Sequence, residues 1–263
     1  MWLITWLRVH CVIAQLAHHP SPMARAVAQA LNAVLTRTVS PEEQRAITQI
    51  ESLRKALNRS SDHVLVYYEG GSARECTVGE ICQRTGQPRR WALLLFQLIR
   101  AVRPRRCLEM GTSVGISAAY QAAALEFNQQ GTLVTLEGAP NVARLAEAHL
   151  RQLGLGRVSV KAGRFQTILG TVLADCAPID FVFIDGHHDE RATLAYLEQI
   201  IPYLTQPAIV VFDDIHWSEG MARAWNTITA DERLPVTIEL EKLGIGIFDP
   251  SASPPRHVRV DFP

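Results

Sequence analysis

The chain has 263 residues, 48% of them hydrophobic and 20% charged, a composition that supplies a sizeable buried core and excludes a chain disordered throughout. Lys plus Arg and Asp plus Glu both number 26, so zero formal charge leaves no global field to hold a phosphate backbone, and nucleic acid is not expected as a partner. The cancellation is uneven: 15 basic and 7 acidic residues fall in 1–106 against 11 and 19 in 107–263, leaving +8 and −8. A basic helical cap over an acidic half, its charges mostly solvated, accounts for this; a basic entrance for an anionic substrate or carrier is the sharper form of the same reading.

Residues 1–7 are apolar, but Arg8 and His10 interrupt them before a signal-type stretch is complete, and no run approaches the roughly 18 residues of a membrane span. An apolar helical end of this kind suits packing on a partner subunit, hence a homodimer, or on a membrane surface. Cys11, Cys76, Cys82, Cys107 and Cys176 are odd in number and lack zinc-site spacing, which points to reduced thiols and a cytoplasmic location. From Ser21 to about Asn58 the pattern is helical, with Val27, Leu31, Val34 and Leu35 at helical spacing and Ser40-Pro41 as a strong start signal. The segment 61–86, with Tyr67, Tyr68, Gly70, Gly71 and Ser72, reads as loop-rich, and a further helix is expected over 88–102, ending before Pro104. Residues 1–86 are therefore expected to form a helical cap and 87–263 the core.

After Arg106 short apolar runs alternate with helix-length segments. Strands are expected at 107–110, 132–137, 158–161, 181–185, 209–213, 236–240 and 245–248, with helices at 115–127, 141–153, 164–175, 189–204 and 218–229. That order predicts an α/β fold: a Rossmann-like, doubly wound sheet of seven strands, mostly parallel. Only four residues, Glu241 to Gly244, join the last two strands, too few for a crossover helix, so these should pair as an antiparallel hairpin. That tail argues against a plain dinucleotide-binding sheet.

The first strand runs into Leu108-Glu109-Met110-Gly111-Thr112-Ser113-Val114-Gly115-Ile116-Ser117, which puts glycines where side chains would block a ligand from the backbone, at the carboxyl end where open α/β sheets bind. The helix that follows offers free N–H groups to a carboxylate. The spacing G-x-x-x-G does not satisfy the dinucleotide fingerprint. Glu137 ends the second strand, where a carboxylate can accept both hydroxyls of a ribose, so an adenosine-containing ligand is expected; NAD(H) would also place an acid there.

Together with Thr135-Leu136-Glu137-Gly138, Phe183-Ile184-Asp185-Gly186-His187-His188 and Val211-Phe212-Asp213-Asp214-Ile215-His216-Trp217, this turn resembles the class I S-adenosylmethionine-dependent methyltransferases. The similarity is to their O-methyltransferase branch, related to catechol and caffeoyl-coenzyme A O-methyltransferases and to cephalosporin-hydroxylase-like proteins, and it spans roughly 88–248. The resemblance implies that Glu109, Gly111, Thr112, Ser113, Gly115 and Ser117 line the methionine end of S-adenosylmethionine and that Glu137 and Gly138 hold its ribose. It also implies that Gly163, Arg164 and Phe165 enclose adenine, with Asp185 and His187 beside the cofactor. Many relatives carry an acid where this chain has Arg164, so the adenine contact is expected through backbone or stacking.

Asp185 closes strand four, and Asp213 and Asp214 close strand five. Neighbouring parallel strands would bring these three carboxylates together, and like charges that close require compensation. A divalent cation such as Mg²⁺ is the simplest compensation for an all-oxygen set, and the resemblance favours the same three residues as metal ligands. Such a cation would acidify and orient an acceptor hydroxyl, with a histidine as base. His188, three residues after Asp185, where the resemblance implies a lysine or histidine base, is the first candidate; His187 and His216 are rivals. Trp217, Met221 and Trp225 lie at helical spacing, a core stripe whose first member starts at the expected site and could wall an acceptor pocket. The expected activity is methyl transfer to a hydroxyl of a small-molecule acceptor. The alternatives are a nicotinamide-dependent oxidoreductase on a similar sheet and a cofactor-binding module without transferase activity.

Overall fold

The computed structural model describes residues 2–67, 73–249, 252 and 256–260. Tyr68, Gly70, Gly71 and Ser72, singled out above, lie outside them, as do Met1 and the side chains of residues 2–8 and of Tyr67. The N-terminal part is helical as expected: α1 (Trp2–Ala17), α2 (Pro22–Leu35) and α3 (Pro41–Leu57). Ser40 caps α3 by accepting from the Glu43 N–H while the Glu43 carboxylate accepts from the Ser40 N–H, so two otherwise orphaned donors are satisfied reciprocally.

The loop-rich reading of 61–86 is corrected. The segment forms an antiparallel pair, β1 (His63–Tyr67) and β2 (Ala73–Thr77), followed by α4 (Val78–Thr85). Alternating Val64 and Val66 carry the strand signal, which the flanking polar and glycine residues obscured. Helix α4 has its own reciprocal cap, Thr77 with Glu80.

The core then alternates strand and helix. In chain order it comprises α5 (Arg89–Val102), β3 (Arg106–Met110), α6 (Ile116–Asn128), β4 (Thr132–Glu137), α7 (Pro140–Gln152), β5 (Val158–Ala162), α8 (Phe165–Cys176), β6 (Ile179–Ile184), α9 (Glu190–Ile200), β7 (Leu204–Phe212), α10 (Glu219–Thr229), β8 (Val236–Glu239), β9 (Gly244–Phe248) and β10 (Arg256–Arg259). Pro202 sits in a single 3-10 turn that ends α9, which is why the helix stops short of the expected residue 204.

All seven expected strands are present, but among the described residues the sheet has eight, in the order β10-β8-β9-β7-β6-β3-β4-β5. The extra strand, β10, pairs parallel to β8 at the edge; its Arg-His-Val-Arg sequence carries the charges of an edge strand and little apolar signal. Strands β3 to β7 are parallel, and β9 runs antiparallel to both β7 and β8, the predicted hairpin. The chain leaves β3 toward β4 and β5, then returns to β6 on the other side. The switch point therefore lies between β3 and β6, where a crevice opens at the carboxyl ends.

One face of the sheet packs in a core that also buries Leu16, Val27 and Leu31 of the N-terminal helices with Leu95, Phe96 and Tyr120 of α5 and α6. The other face buries Leu169, Tyr196, Leu197 and Trp225. No helix among the described residues is long and apolar enough to cross a membrane.

Candidate active site

Backbone hydrogen bonds step across the tips of five parallel strands. Gly163 N–H donates to Glu137 O at 2.8 Å, Gly111 N–H to Leu136 O at 3.0 Å, Asp185 N–H to Met110 O at 2.9 Å and Asp213 N–H to Ile184 O at 2.9 Å. These bonds fix the tips of β5, β4, β3, β6 and β7 into one rim that carries Gly163, Glu137, Gly111, Asp185 and Asp213. Gly111 is the joint between its halves: at φ +113° it adopts a conformation that favours glycine, and a Cβ would stand 1.8 Å from the Asp185 carbonyl oxygen.

On the β3–β4 side the turn 111–115 wraps over Glu137. Ser113 N–H donates to Glu137 Oε2 at 2.8 Å and Ala139 N–H to Oε1 at 2.9 Å. Burial raises the Glu137 pKa, and these amides oppose the rise. Gly115, at φ +92°, begins α6 with no side-chain cap, so the first amides of α6 remain available. Glu109 points into the interior rather than onto the rim. It is fully buried, accepts from Thr135 Oγ1 and Gln121 Nε2 at 2.5 Å each, and is pushed up to about 7 by desolvation. Thr112 is buried beside it, bonded to Thr135 at 2.6 Å, and Ser117 is likewise buried. The Ser113 hydroxyl bonds Thr85 at the end of α4, so the N-terminal part touches this turn directly.

Gly163 and Arg164 lead into α8, and Phe165 packs edge-on against His187 at 5.4 Å between centroids. His187 in turn stacks on Tyr196 at 5.6 Å and is hydrogen-bonded to its hydroxyl. The imidazole thus belongs to an aromatic wall, while its neighbour His188 turns toward the acids.

On the β6–β7 side the carboxylates converge as the strand order requires. His188 Nε2 lies 3.5 Å from Asp185 Oδ1 and 3.8 Å from Asp214 Oδ2. One ligand atom each from Asp185, His188 and Asp213 lie within 4.8 Å of one another. Asp213 is 3% exposed, and its Oδ1 is buried without a hydrogen-bond partner. Burial, then the neighbouring Asp213, pushes the Asp185 pKa well above the usual carboxylate range.

Residues 108–215 match the family model of a methyltransferase domain. The chain is 34% identical over 122 residues to a catechol O-methyltransferase of Mycobacterium tuberculosis, an alignment taking in 46% of this chain and 53% of that protein, so the chain spans about half the length of this curated relative. The solved O-methyltransferase of Bacillus cereus in complex with SAH superposes with a TM-score of 0.54 at 20% identity, covering 78% of this chain and 91% of that one. The SAH-bound methyltransferase PaMTH1 of Podospora anserina superposes at 0.58 with 17% identity, covering 77% and 86%. At these identities the two structures establish the methyltransferase fold.

The structure differs from the sequence expectation in three places around these acids. His216 is drawn away from them to Glu239 on β8, with Nε2 at 3.3 Å from Oε1. The stripe Trp217, Met221, Trp225 divides: Met221 and Trp225 are buried, whereas Trp217 is 73% exposed. The third difference is Lys242, which sequence reasoning passed over as a turn residue. Its ammonium bonds Asp213 Oδ2 and lies 2.8 Å from Asp214 Oδ1. Burial opposes that charge, but Asp213, Asp214 and Asp185 outweigh it and hold the amine above its ordinary range. A signal did exist: an antiparallel last hairpin returns its turn to the tip of strand five.

Proposed function

We propose that this chain transfers a methyl group from S-adenosylmethionine to a hydroxyl oxygen of a small-molecule acceptor. The observation that carries the reading is one rim holding an uncapped helix N-terminus, Glu137 and the Asp185–Asp213 pair at the switch point of the sheet. The methyltransferase-domain match over 108–215 supports it, as does the SAH held by the similar solved structures. Calorimetry with S-adenosylmethionine tests it: saturable binding that Glu137→Ala abolishes is expected, and no binding overturns it. Saturable NAD(H) binding instead would favour an oxidoreductase. Release of S-adenosylhomocysteine across a panel of phenols, sugars and carboxylic acids would separate an enzyme from a binding module.

The residues suit this cofactor, which when bound supplies a methyl group activated by a sulfonium. The free amides of α6 suit a carboxylate, and Gly138 has open space where a Cβ would stand. Each Glu137 oxygen already accepts one amide and keeps a lone pair for a ribose hydroxyl. Gly163, Arg164 and Phe165, with the His187–Tyr196 stack, form the wall proposed for adenine.

On the acceptor side, His188 takes the hydroxyl proton on Nε2, which lies 3.5 Å from Asp185 Oδ1 and 3.8 Å from Asp214 Oδ2. Asp185, His188 and Asp213 also suit a divalent cation, since their ligand atoms converge and Asp213 Oδ1 is buried and unpartnered. There the ion would supply Lewis acidity to the acceptor oxygen. Ligation and proton uptake are alternative uses of the same imidazole. Asp214, the third expected acid, stands outside that converging set, and its Oδ1 lies 2.8 Å from the Lys242 ammonium. Trp217 offers an exposed ring beside this cluster to an aromatic alcohol or to the apolar face of a sugar. A homodimer through the N-terminal helices and a cytoplasmic location complete the proposal, the first checked by solution mass and the second by cell fractionation.

A further inference from the structure

Lys242 takes no part in the chemistry above, yet it bonds two of the acids at its centre. Its position follows from topology: β9 pairs antiparallel with β7, setting Gly244 opposite Phe212, so residue 242 falls beside the residues just beyond β7. Ile215 N–H donates to Lys242 O at 3.1 Å, clamping the β8–β9 turn to the loop that bears Asp213 and Asp214. The side chain is partly buried, and its ammonium is shared between Asp213 Oδ2 and Asp214 Oδ1. The other Asp213 oxygen, Oδ1, is buried and unpartnered, and the Asp213 carboxylate offers a ligand atom within 4.8 Å of those of Asp185 and His188.

An ammonium fixed on one oxygen of a carboxylate neutralises much of the charge that would attract a second cation to the other, and it repels that cation across a few ångströms of poorly solvated protein. We propose that Lys242 is the resident cation of this cluster and weakens divalent-cation binding at Asp185, His188 and Asp213, so that removing its charge turns a weak metal site into a tighter one. The inference rests on the methyl-transfer reading only in what it implies for cation dependence of turnover. Its test needs neither S-adenosylmethionine nor an acceptor, so failure of one is distinguishable from failure of the other.

The full chain, stripped with chelator, is titrated with Mn²⁺ while free Mn²⁺ is followed by electron paramagnetic resonance. Lys242→Met is expected to bind Mn²⁺ on the order of tenfold more tightly than the wild type, as removal of one nearby like charge requires. Lys242→Arg, which keeps the charge, is expected to bind as weakly as the wild type. Asp213→Asn added to Lys242→Met is expected to abolish the gain. Equal or weaker Mn²⁺ binding by Lys242→Met overturns the proposal, as does an equal gain in the arginine variant. Should Lys242→Met fail to fold, melting temperatures decide the matter with Lys242→Gln: Mn²⁺ is expected to raise that variant's melting temperature more than the wild type's, and an equal shift overturns the proposal.

Discussion

The two halves of the rim manage negative charge in different ways. On the β3–β4 side a single carboxylate, Glu137, is held by the N–H groups of Ser113 and Ala139, two residues of neighbouring loops. On the β6–β7 side three acids meet, and their partners are side chains: His188 from the loop after β6 and Lys242 from a turn nearly thirty residues beyond Asp213. Backbone amides cannot leave and cannot change charge, so the first half is a fixed cradle, suited to a cofactor that is always the same. Side-chain partners can exchange one cation or proton for another, which suits the half where the proposed acceptor would lose a proton.

The largest effect is expected where the halves join. Gly111→Ala would force a Cβ to 1.8 Å from the Asp185 carbonyl oxygen at a φ that side chains rarely adopt. Relief requires β3 and β6 to part at their tips, and a loss of about 3 kcal/mol or more in urea denaturation is expected, with both halves disabled together. A variant with wild-type stability would mean that the halves are not joined at this glycine.

The next largest effect lies beneath the cradle. Desolvation raises Glu109 from 4.5 to about 7, so below pH 4.5 both folded and unfolded chains carry its proton and the stability it contributes is fully present. Between pH 4.5 and about 7 the unfolded chain ionises first, and stability falls by up to about 3 kcal/mol as pH rises. Glu109→Gln should flatten this fall in denaturation midpoints taken at pH 5 and 7.5. An unchanged slope would show that Glu109 is not the group responsible.

How much of this was legible depended on how far apart in sequence the partners lie. The glycine turn, Glu137 and the strand-end acids could be read because each is set within a few residues of its own strand, and the parallel order then brings them together. The β10 edge was missed because a strand of Arg256, His257, Val258 and Arg259 lacks apolar alternation; its pairing comes from β8, not from its own pattern. His216 was expected at the acids from proximity in sequence, but Glu239, distant in the chain, competes for it. Lys242 was overlooked for the converse reason: nothing near it in sequence marks chemistry, and only the antiparallel return of β9 places it on the acids.

The halves should also separate in kinetics. His188→Gln removes the proposed proton acceptor and leaves the cradle intact, so kcat is expected to fall on the order of 100-fold or more while the dissociation constant for S-adenosylmethionine stays within about twofold. Parallel loss of binding would place His188 in the cradle instead.

The smallest effect is expected from Glu137→Gln, and it is the most discriminating. The amide keeps the shape but offers one acceptor and one donor, so it can receive only one of the Ser113 and Ala139 N–H groups and turns its NH₂ toward the other. Losing a charge-assisted hydrogen bond costs about 1.5–3 kcal/mol, offset in part because burial already penalises the charge that Glu137 carries. A net weakening of S-adenosylmethionine binding of about tenfold is expected by calorimetry. Mn²⁺ binding should not change, since the cradle and the acid cluster share backbone but no side-chain partner. A variant that altered Mn²⁺ affinity as much as cofactor affinity would show that the rim behaves as one electrostatic unit, and the division between fixed and exchangeable partners would have to be abandoned.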